Sequence, residues 1–349
     1  MSKSISYALF VIMCLCFMVV GNGSINVNVV SAAPANMTTP PSSNGGSLKI
    51  AELVNEERTR NGLQPVKFYV FAPVQKAARI RAGELRQKFD HVRPNNSQWY
   101  TILDAQNINY SAAGENIAHA SSLKPEEVMQ LWMNSPEHRD NILNPSYNMI
   151  GVGCAWSPSL NVFTWVQIFL ETDDANKDFS DLLPLYAEDF KSLKLNPGVN
   201  AESLITKNIG YLRDAKKNIA AGDTSVKQYM IYGHANKFLG NILGARESFH
   251  KALQADPSNV NAYVEIASTY DYPYDIQKRL QWLQKGEALG VRNSELYAYL
   301  AQTYSKLGQD DKALSYANLA IEVNPNSSLA ISTRKNILEF QEFKRKNRH

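Results

Sequence analysis

A period of 34 residues in the C-terminal third most constrains what this 349-residue chain can fold into. Gly240, Ala245, Ala252 and Pro257 recur 68 positions later as Gly308, Ala313, Ala320 and Pro325. Tyr263, Ile266, Ala267 and Tyr270 recur 34 positions later as Tyr297, Leu300, Ala301 and Tyr304. Repetition at that length marks units of one helix pair, which bury a continuous core only by stacking on their neighbours. A single globular domain is thereby excluded, and a chain of this length accommodates two or three folded units. Hydrophobic residues make up 44% and charged residues 20%, so the remainder is globular rather than disordered.

The repeat resembles the tetratricopeptide family, whose first helix carries a large, a small and an aromatic residue and whose second carries small residues at the crossing. Units are expected at 226–259, 260–293 and 294–327, with Ser328 to Lys344 as a capping helix. The middle unit is degenerate, since Arg279 and Gly286 stand at crossing positions and no proline closes it. The resemblance implies a concave groove that docks a protein or peptide partner. Its groove-facing positions would be Met230, His234, Lys237, Asn261, Val264, Ser268, Asp271, Glu295, Ala298, Gln302 and Ser305. A spacer or dimer scaffold is the alternative role. The basic tail Lys344 to Arg348 reads as a solvated helix end, with an envelope-polymer anchor as the alternative.

At the other end, Lys3 precedes an uncharged apolar run from Tyr7 to Val20, the length of an export-signal core and short of a membrane span. Residues 1–33 are therefore expected to be a signal peptide cleaved after Ala32 or Ala33. An uncleaved anchor is the alternative. The mature protein would be secreted, extracellular or envelope-associated. Cys14 and Cys16 would leave with the leader, so the mature chain keeps Cys154 alone and has no intramolecular disulfide. Cys154 shares a strand face with Ile150, Val152 and Trp156 and reads as a small core side chain. A formal charge of +3 provides no field that would argue for nucleic acid or anionic lipid.

Residues 34–47 are rich in Pro, Ser, Asn, Gly and Thr and read as a flexible linker. From residue 48 to 172 the pattern is mixed. A helix capped by Ser47 carries Ile50, Leu53 and Val54 and ends at Asn61-Gly62; a second follows Pro73 with Val74, Ala78, Ala82 and Leu85 on one side. A helix Pro125 to Met133 stops at Ser135-Pro136, which starts a short helix and places His138 at its third position. Met149 to Trp156 and Asn161 to Leu170 read as strands. The fold class is thus α+β: an α-β-α sandwich followed, past a linker and helical segment at 173–225, by an all-α solenoid of helical hairpins at 226–345.

Within the sandwich, His91, Glu115 and His138 lie at the punctuated ends of elements, in Phe89-Asp90-His91, Gly114-Glu115-Asn116-Ile117 and Ser135-Pro136-Glu137-His138-Arg139. Those segments, with Asn55-Glu56-Glu57-Arg58, Asn61-Gly62-Leu63, the run Trp132 to Leu143 and Ile150-Gly151-Val152-Gly153, resemble the bacterial branch of the CAP (SCP-like) superfamily of cysteine-rich secretory, antigen 5 and pathogenesis-related proteins. The resemblance implies a secreted sandwich whose cleft holds two His and two Glu. His91, Glu115 and His138 match. The second acid falls on Ser135, and whether Glu137 takes its place is open. The ligand-binding cleft would comprise His91, Glu115, Glu137 and His138, with lipid, glycan or metal as ligand classes. His91 and His138 could ligate zinc or another divalent metal, the helix dipole keeping His138 unprotonated. Glu115 or Glu137 is then the candidate base of a metal-assisted, peptidase-like hydrolase, which is the alternative to pure binding. A cleft whose residues only brace one another is a further reading. Arg139 and Asn141 are expected to tie loops together.

Overall fold

The computed structural model describes residues 15–19, 24–28, 43–182, 201–270 and 274–346. They divide into two compact units between Asn208 and Ile209. The expected cleavage position after Ala32 or Ala33, most of the expected linker and Asp271 lie outside the described residues. Near the start of the chain, β1 (Leu15–Val19) pairs antiparallel with β2 (Ser24–Asn28).

In the first unit, α1 (Ser43–Arg60) starts earlier than expected. Ser47 is no cap: it is buried within the helix, and its Oγ donates to the Val152 carbonyl at 2.8 Å, a tertiary bond that local spacing cannot announce. Ile50, Ala51 and Val54 are fully buried. The helix ends where Gly62 takes φ +73°, a conformation that glycine adopts without a Cβ clash. Near that end the buried Arg58 guanidinium donates to the carbonyls of Gln64, Ile142, Asn144 and Tyr147, tying α1 to the chain between residues 142 and 147.

The sheet comprises β3 (Ala112–Ala120), β4 (Met149–Ser157) and β5 (Val162–Glu171), all antiparallel in the order β3-β5-β4. Register assigns the faces, because paired residues share one and neighbours along a strand alternate. Glu115, Ile117 and His119 on β3, Ile168, Val166 and Thr164 on β5, and Gly151, Gly153 and Ala155 on β4 share one face. On it lies α2 (Pro73–Glu84), with Val74, Ala77, Ala78 and Ala82 buried. Contact is backbone to backbone: a Cβ on Gly151 would sit 2.3 Å from the Val74 carbonyl oxygen, and one on Gly153 2.0 Å from that of Ala78. The other face presents Asn116 and Gln167 to α4 (Pro125–Asn134) and α5 (Pro136–Ile142), while α1 lies against β4. Helices on both faces make the expected sandwich. A short helix α3 (Thr101–Ala105) precedes β3.

Edge strand β4 is covered rather than open. The Val152 N–H donates to Gln75 Oε1 and its carbonyl accepts from Gln75 Nε2, both at 2.8 Å. Covering an edge in this way removes a template for aggregation. Cys154 is a free cysteine, and burial pushes its thiol far above the usual range, which disfavours the reactive thiolate. A 3-10 turn at Asp173–Asn176 and α6 (Phe179–Leu182) follow the sheet, with Phe179 against the Tyr69 ring.

Beyond α7 (Ala201–Ala220) come the helix pairs: α8 (Val226–Phe238) with α9 (Ile242–Ala255), α10 (Val260–Ser268) with α11 (Ile276–Glu287), and α12 (Ser294–Lys306) with α13 (Asp310–Val323), followed by α14 (Ser328–Lys346). Asn241, Asn259 and Asn293 each cap a helix through the side-chain oxygen. Crossing positions behave as their size requires. A Cβ on Gly233 would meet the Phe249 ring at 2.4 Å, and Ala245, Ala252, Ala313 and Ala320 are fully buried. In the degenerate middle unit, Arg279 is buried with its guanidinium over the Tyr299 ring and donates to Thr303 Oγ1 and Gln302 Oε1.

Candidate functional site

The site is assembled around edge strand β3. Glu115 and Asn116 are adjacent and so point to opposite faces, and each gathers its own partners. On the α2 face, the Glu115 side chain is 0% exposed and accepts from Arg81 Nε at 2.7 Å through Oε1; its Oε2 lies 2.8 Å from His91 Nδ1 and 3.3 Å from Arg81 Nη2. Arg81, also 0% exposed, donates further to Glu84 Oε2 at 2.9 Å and to the Asp90 carbonyl at 3.0 Å. Glu84 in turn accepts from Arg93, which bonds Thr101 Oγ1. A fully desolvated carboxylate is thus held by a guanidinium whose remaining donors are also used, the arrangement a buried ion pair requires.

On the opposite face, Asn116 Nδ2 donates to the His138 carbonyl and to Gln167 Oε1, both at 3.0 Å, and Asn116 Oδ1 accepts from Asn141 Nδ2 at 2.9 Å. The backbone of the His138 turn is therefore pinned to β3, and Asn141 ties the two elements as anticipated. Gly114 leaves room for this: a Cβ there would lie 2.7 Å from Asn141 Oδ1 and from the Tyr147 hydroxyl. Arg139 donates to the Met133 carbonyl at 3.4 Å.

His91 and Glu115 are in direct contact. His138 bonds neither, but stands near enough that the charge of His91 acts on it. Its imidazole is held below the ordinary range chiefly by burial, then by His91, with Glu137 opposing. His91 is raised, first by its bond to Glu115; its side chain is 52% exposed. Glu137 is exposed, and Ser135 precedes α5 without a side-chain cap bond. The two imidazoles thus differ: one paired and favoured as imidazolium, one desolvated and favoured neutral.

The residues do not fit a metal centre of two His and a carboxylate. Both Glu115 oxygens are engaged by Arg81, whose positive charge opposes a cation there, and His91 uses Nδ1 on the same carboxylate. Among the described residues, no group of three or more His, Cys, Asp or Glu gathers as a ligand set. Arg81, Glu84, Asn116 and Gln167 belong to the site without being marked in the sequence. Arg81 stands 34 positions before Glu115, a separation that no local periodicity connects. His119 is unmarked too: it shares the Glu115 face, its ring centroid lies 3.6 Å from that of Phe89, and burial lowers its imidazole.

In the second unit, the expected groove positions separate. His234, Lys237, Ser268 and Glu295 come together with two residues not anticipated, Glu265 and Tyr299. Lys237 Nζ donates to Glu265 Oε2 at 2.9 Å and to Ser268 Oγ at 2.6 Å, and His234 Nε2 lies 3.0 Å from Glu265 Oε1, a close contact without hydrogen-bond alignment. Gln302 bonds Thr333 and Arg279, and Asn261 accepts from Asn293. Ser305 is half-buried near the end of α12. Val264 and Ala298 are corrections: at 1% and 0% exposure they pack between helices. Met230 packs on the Phe249 cluster. The polar cluster takes the position one residue on in each case, at Glu265 and Tyr299.

Comparison with known proteins follows the same division. Residues 51–169 match the cysteine-rich secretory protein family, CAP, and residues 227–259 and 294–327 match the tetratricopeptide repeat. The protein YkwD of Bacillus subtilis (strain 168) is 39% identical over 152 residues, which are 41% of this chain and 56% of that protein. The membrane protein YlbC of the same organism is 29% identical over 107 residues, 30% of each. The chain thus spans about half or less of the length of these curated relatives. Among solved structures, an extracellular protein containing an SCP domain from Bacillus anthracis str. Ames is 23% identical at a TM-score of 0.35, covering 43% of this chain and 47% of that one. YrrB, a TPR protein with an unusual peptide-binding site, is 23% identical at a TM-score of 0.32, covering 36% of this chain and 66% of that one. The chain therefore joins a CAP domain, over residues 51–169, to tetratricopeptide repeats within residues 227–327.

Proposed function

We propose that this is an exported binding protein: the CAP domain holds an extracellular or envelope ligand at His91 and His138, and the repeats dock a protein partner. The observation that carries the binding reading is the commitment of Glu115. A general base must have a free carboxylate beside the reacting water, whereas both Glu115 oxygens are spent on Arg81 and His91. What the site offers a ligand is one imidazole favoured as a donor and one as an acceptor, suited to the hydroxyls of a glycan or the headgroup of a lipid. Export rests on the apolar run Tyr7 to Val20. Among the described residues no helix is long and apolar enough to cross a membrane.

A metal-assisted hydrolase is the second reading; since His91 and Glu115 are committed to one another, it would have to rely on the His138 imidazole, which burial favours as neutral, and on the exposed Glu137 one residue before it. Metal content of the purified mature protein, followed by turnover of a peptide library with wild type and His138→Ala, separates the two. Stoichiometric zinc with turnover abolished by the substitution refutes the binding-only reading; no metal and no turnover removes the hydrolase. For the repeats, the full mature chain should capture a partner that a chain ending at residue 225 does not. Equal capture by both refutes the docking role.

A further inference from the structure

The buried polar cluster of the second unit is unequally satisfied. Three successive first helices supply it: His234 and Lys237 from α8, Glu265 and Ser268 from α10, Glu295 and Tyr299 from α12, with Arg279 of α11 over the Tyr299 ring. Glu265 has a partner at each oxygen: Oε2 accepts from Lys237 and Ser268, and Oε1 lies 3.0 Å from His234 Nε2. Lys237 is already bonded to Glu265 and Ser268. Glu295 is different: half-buried beside Glu265, its carboxylate accepts no hydrogen bond among the described residues and feels Lys237 and His234 only at a distance.

We infer that Glu295 is the receptor for a cationic side chain, an arginine or lysine of a partner peptide lying along the groove formed by α8, α10 and α12. This rests on the docking role proposed for the repeats and states the chemistry of what docks. Charge complementarity selects a cation: the cluster's own positive group is engaged, and the carboxylate with unused acceptors is the group that gains most from a charged donor. A glutamate in the first turn of a helix is ordinarily there for the helix dipole, which favours its charged form. Here burial and the neighbouring Glu265 outweigh that influence and push the Glu295 carboxyl up to about 7, with Lys237 and His234 opposing. An arriving cation replaces lost hydration and offsets Glu265, so docking should tighten as Glu295 ionises. The chain's formal charge of +3 does not by itself attract a basic peptide.

The test uses the full mature chain and two unlabelled decapeptides of Gly and Ser carrying either three arginines or three glutamates, titrated by calorimetry at pH 6 and pH 8. The arginine peptide should bind, about tenfold more tightly at pH 8, and the glutamate peptide should not. Glu295→Gln should weaken arginine-peptide binding at least about tenfold and remove the pH response. His234→Gln should retain the response, assigning it to Glu295. Glu295→Gln should melt at or above the wild-type temperature at pH 8, which separates lost binding from lost folding. Preference for the glutamate peptide, or arginine-peptide binding that Glu295→Gln leaves unchanged, overturns the inference alone. Binding of neither peptide overturns it too, and if partner capture by the full chain is also absent, the docking reading falls with it.

Discussion

Replacing Arg81 by methionine isolates what holds Glu115. Both side chains are 0% exposed, so the substitution keeps most of the packed stem and removes only the guanidinium. Glu115 would then keep His91 alone, and Glu84 and the Asp90 carbonyl would each lose a donor. Breaking a buried ion pair by removing one partner costs about 3–5 kcal/mol. Glu115→Gln is milder, about 1–3 kcal/mol, because Arg81 retains Glu84 and Asp90. The double variant should lose less than the sum by about 2 kcal/mol, since no unpaired charge remains. Urea unfolding followed by tryptophan fluorescence reads this unit selectively: four of the five tryptophans, Trp99, Trp132, Trp156 and Trp165, lie in it. With a slope of about 2 kcal/mol per molar urea, Arg81→Met should lower the midpoint by about 1.5–2.5 M. A shift under about 0.5 M, or losses that simply add, would refute the view that Glu115 is held as a structural carboxylate.

Gly153→Ala should destabilise the first unit by about 2 kcal/mol or more, because its Cβ would meet the Ala78 carbonyl oxygen at 2.0 Å and backbone cannot turn aside; an unchanged urea midpoint would show that α2 is not seated on β4 as described. His91 titrates above its ordinary 6.5 because Glu115 accepts from it. The raised value means that the charged form favours the folded state, so its contribution is complete below 6.5 and disappears as pH rises through the folded value. Ring-proton NMR should find His91 above 6.5 in wild type and lower in Glu115→Gln; equal values in both would remove the Glu115 bond as the cause.

Local chemistry marked most elements and their punctuation, but not the short helix α3 or strand β3, within which Glu115 lies rather than at an element's end. Pro73, Pro125 and Pro136 start helices because their fixed φ suits a first turn, Gly62 ends one at positive φ, and alternation along residues 149–157 and 162–171 specifies strands. The 34-residue period carried the stacked helix pairs, since a unit too small to bury its own face must repeat its contacts at a constant interval. Partner choice was decided only in three dimensions. Ser47 has a capping residue's identity, yet it bonds Val152, 105 positions away. Arg81 stands three residues after Ala78 and four before Leu85, on the buried stripe of its helix, yet only β3 brings to it, across 34 positions, the Glu115 that it holds. Val264 and Glu265 are adjacent on one helix, and only the neighbouring helices decide that the first packs between them while the second holds Lys237. Periodicity reports which residues share a face; the charge a buried group meets there depends on chain segments whose distance in sequence carries no record of their contact.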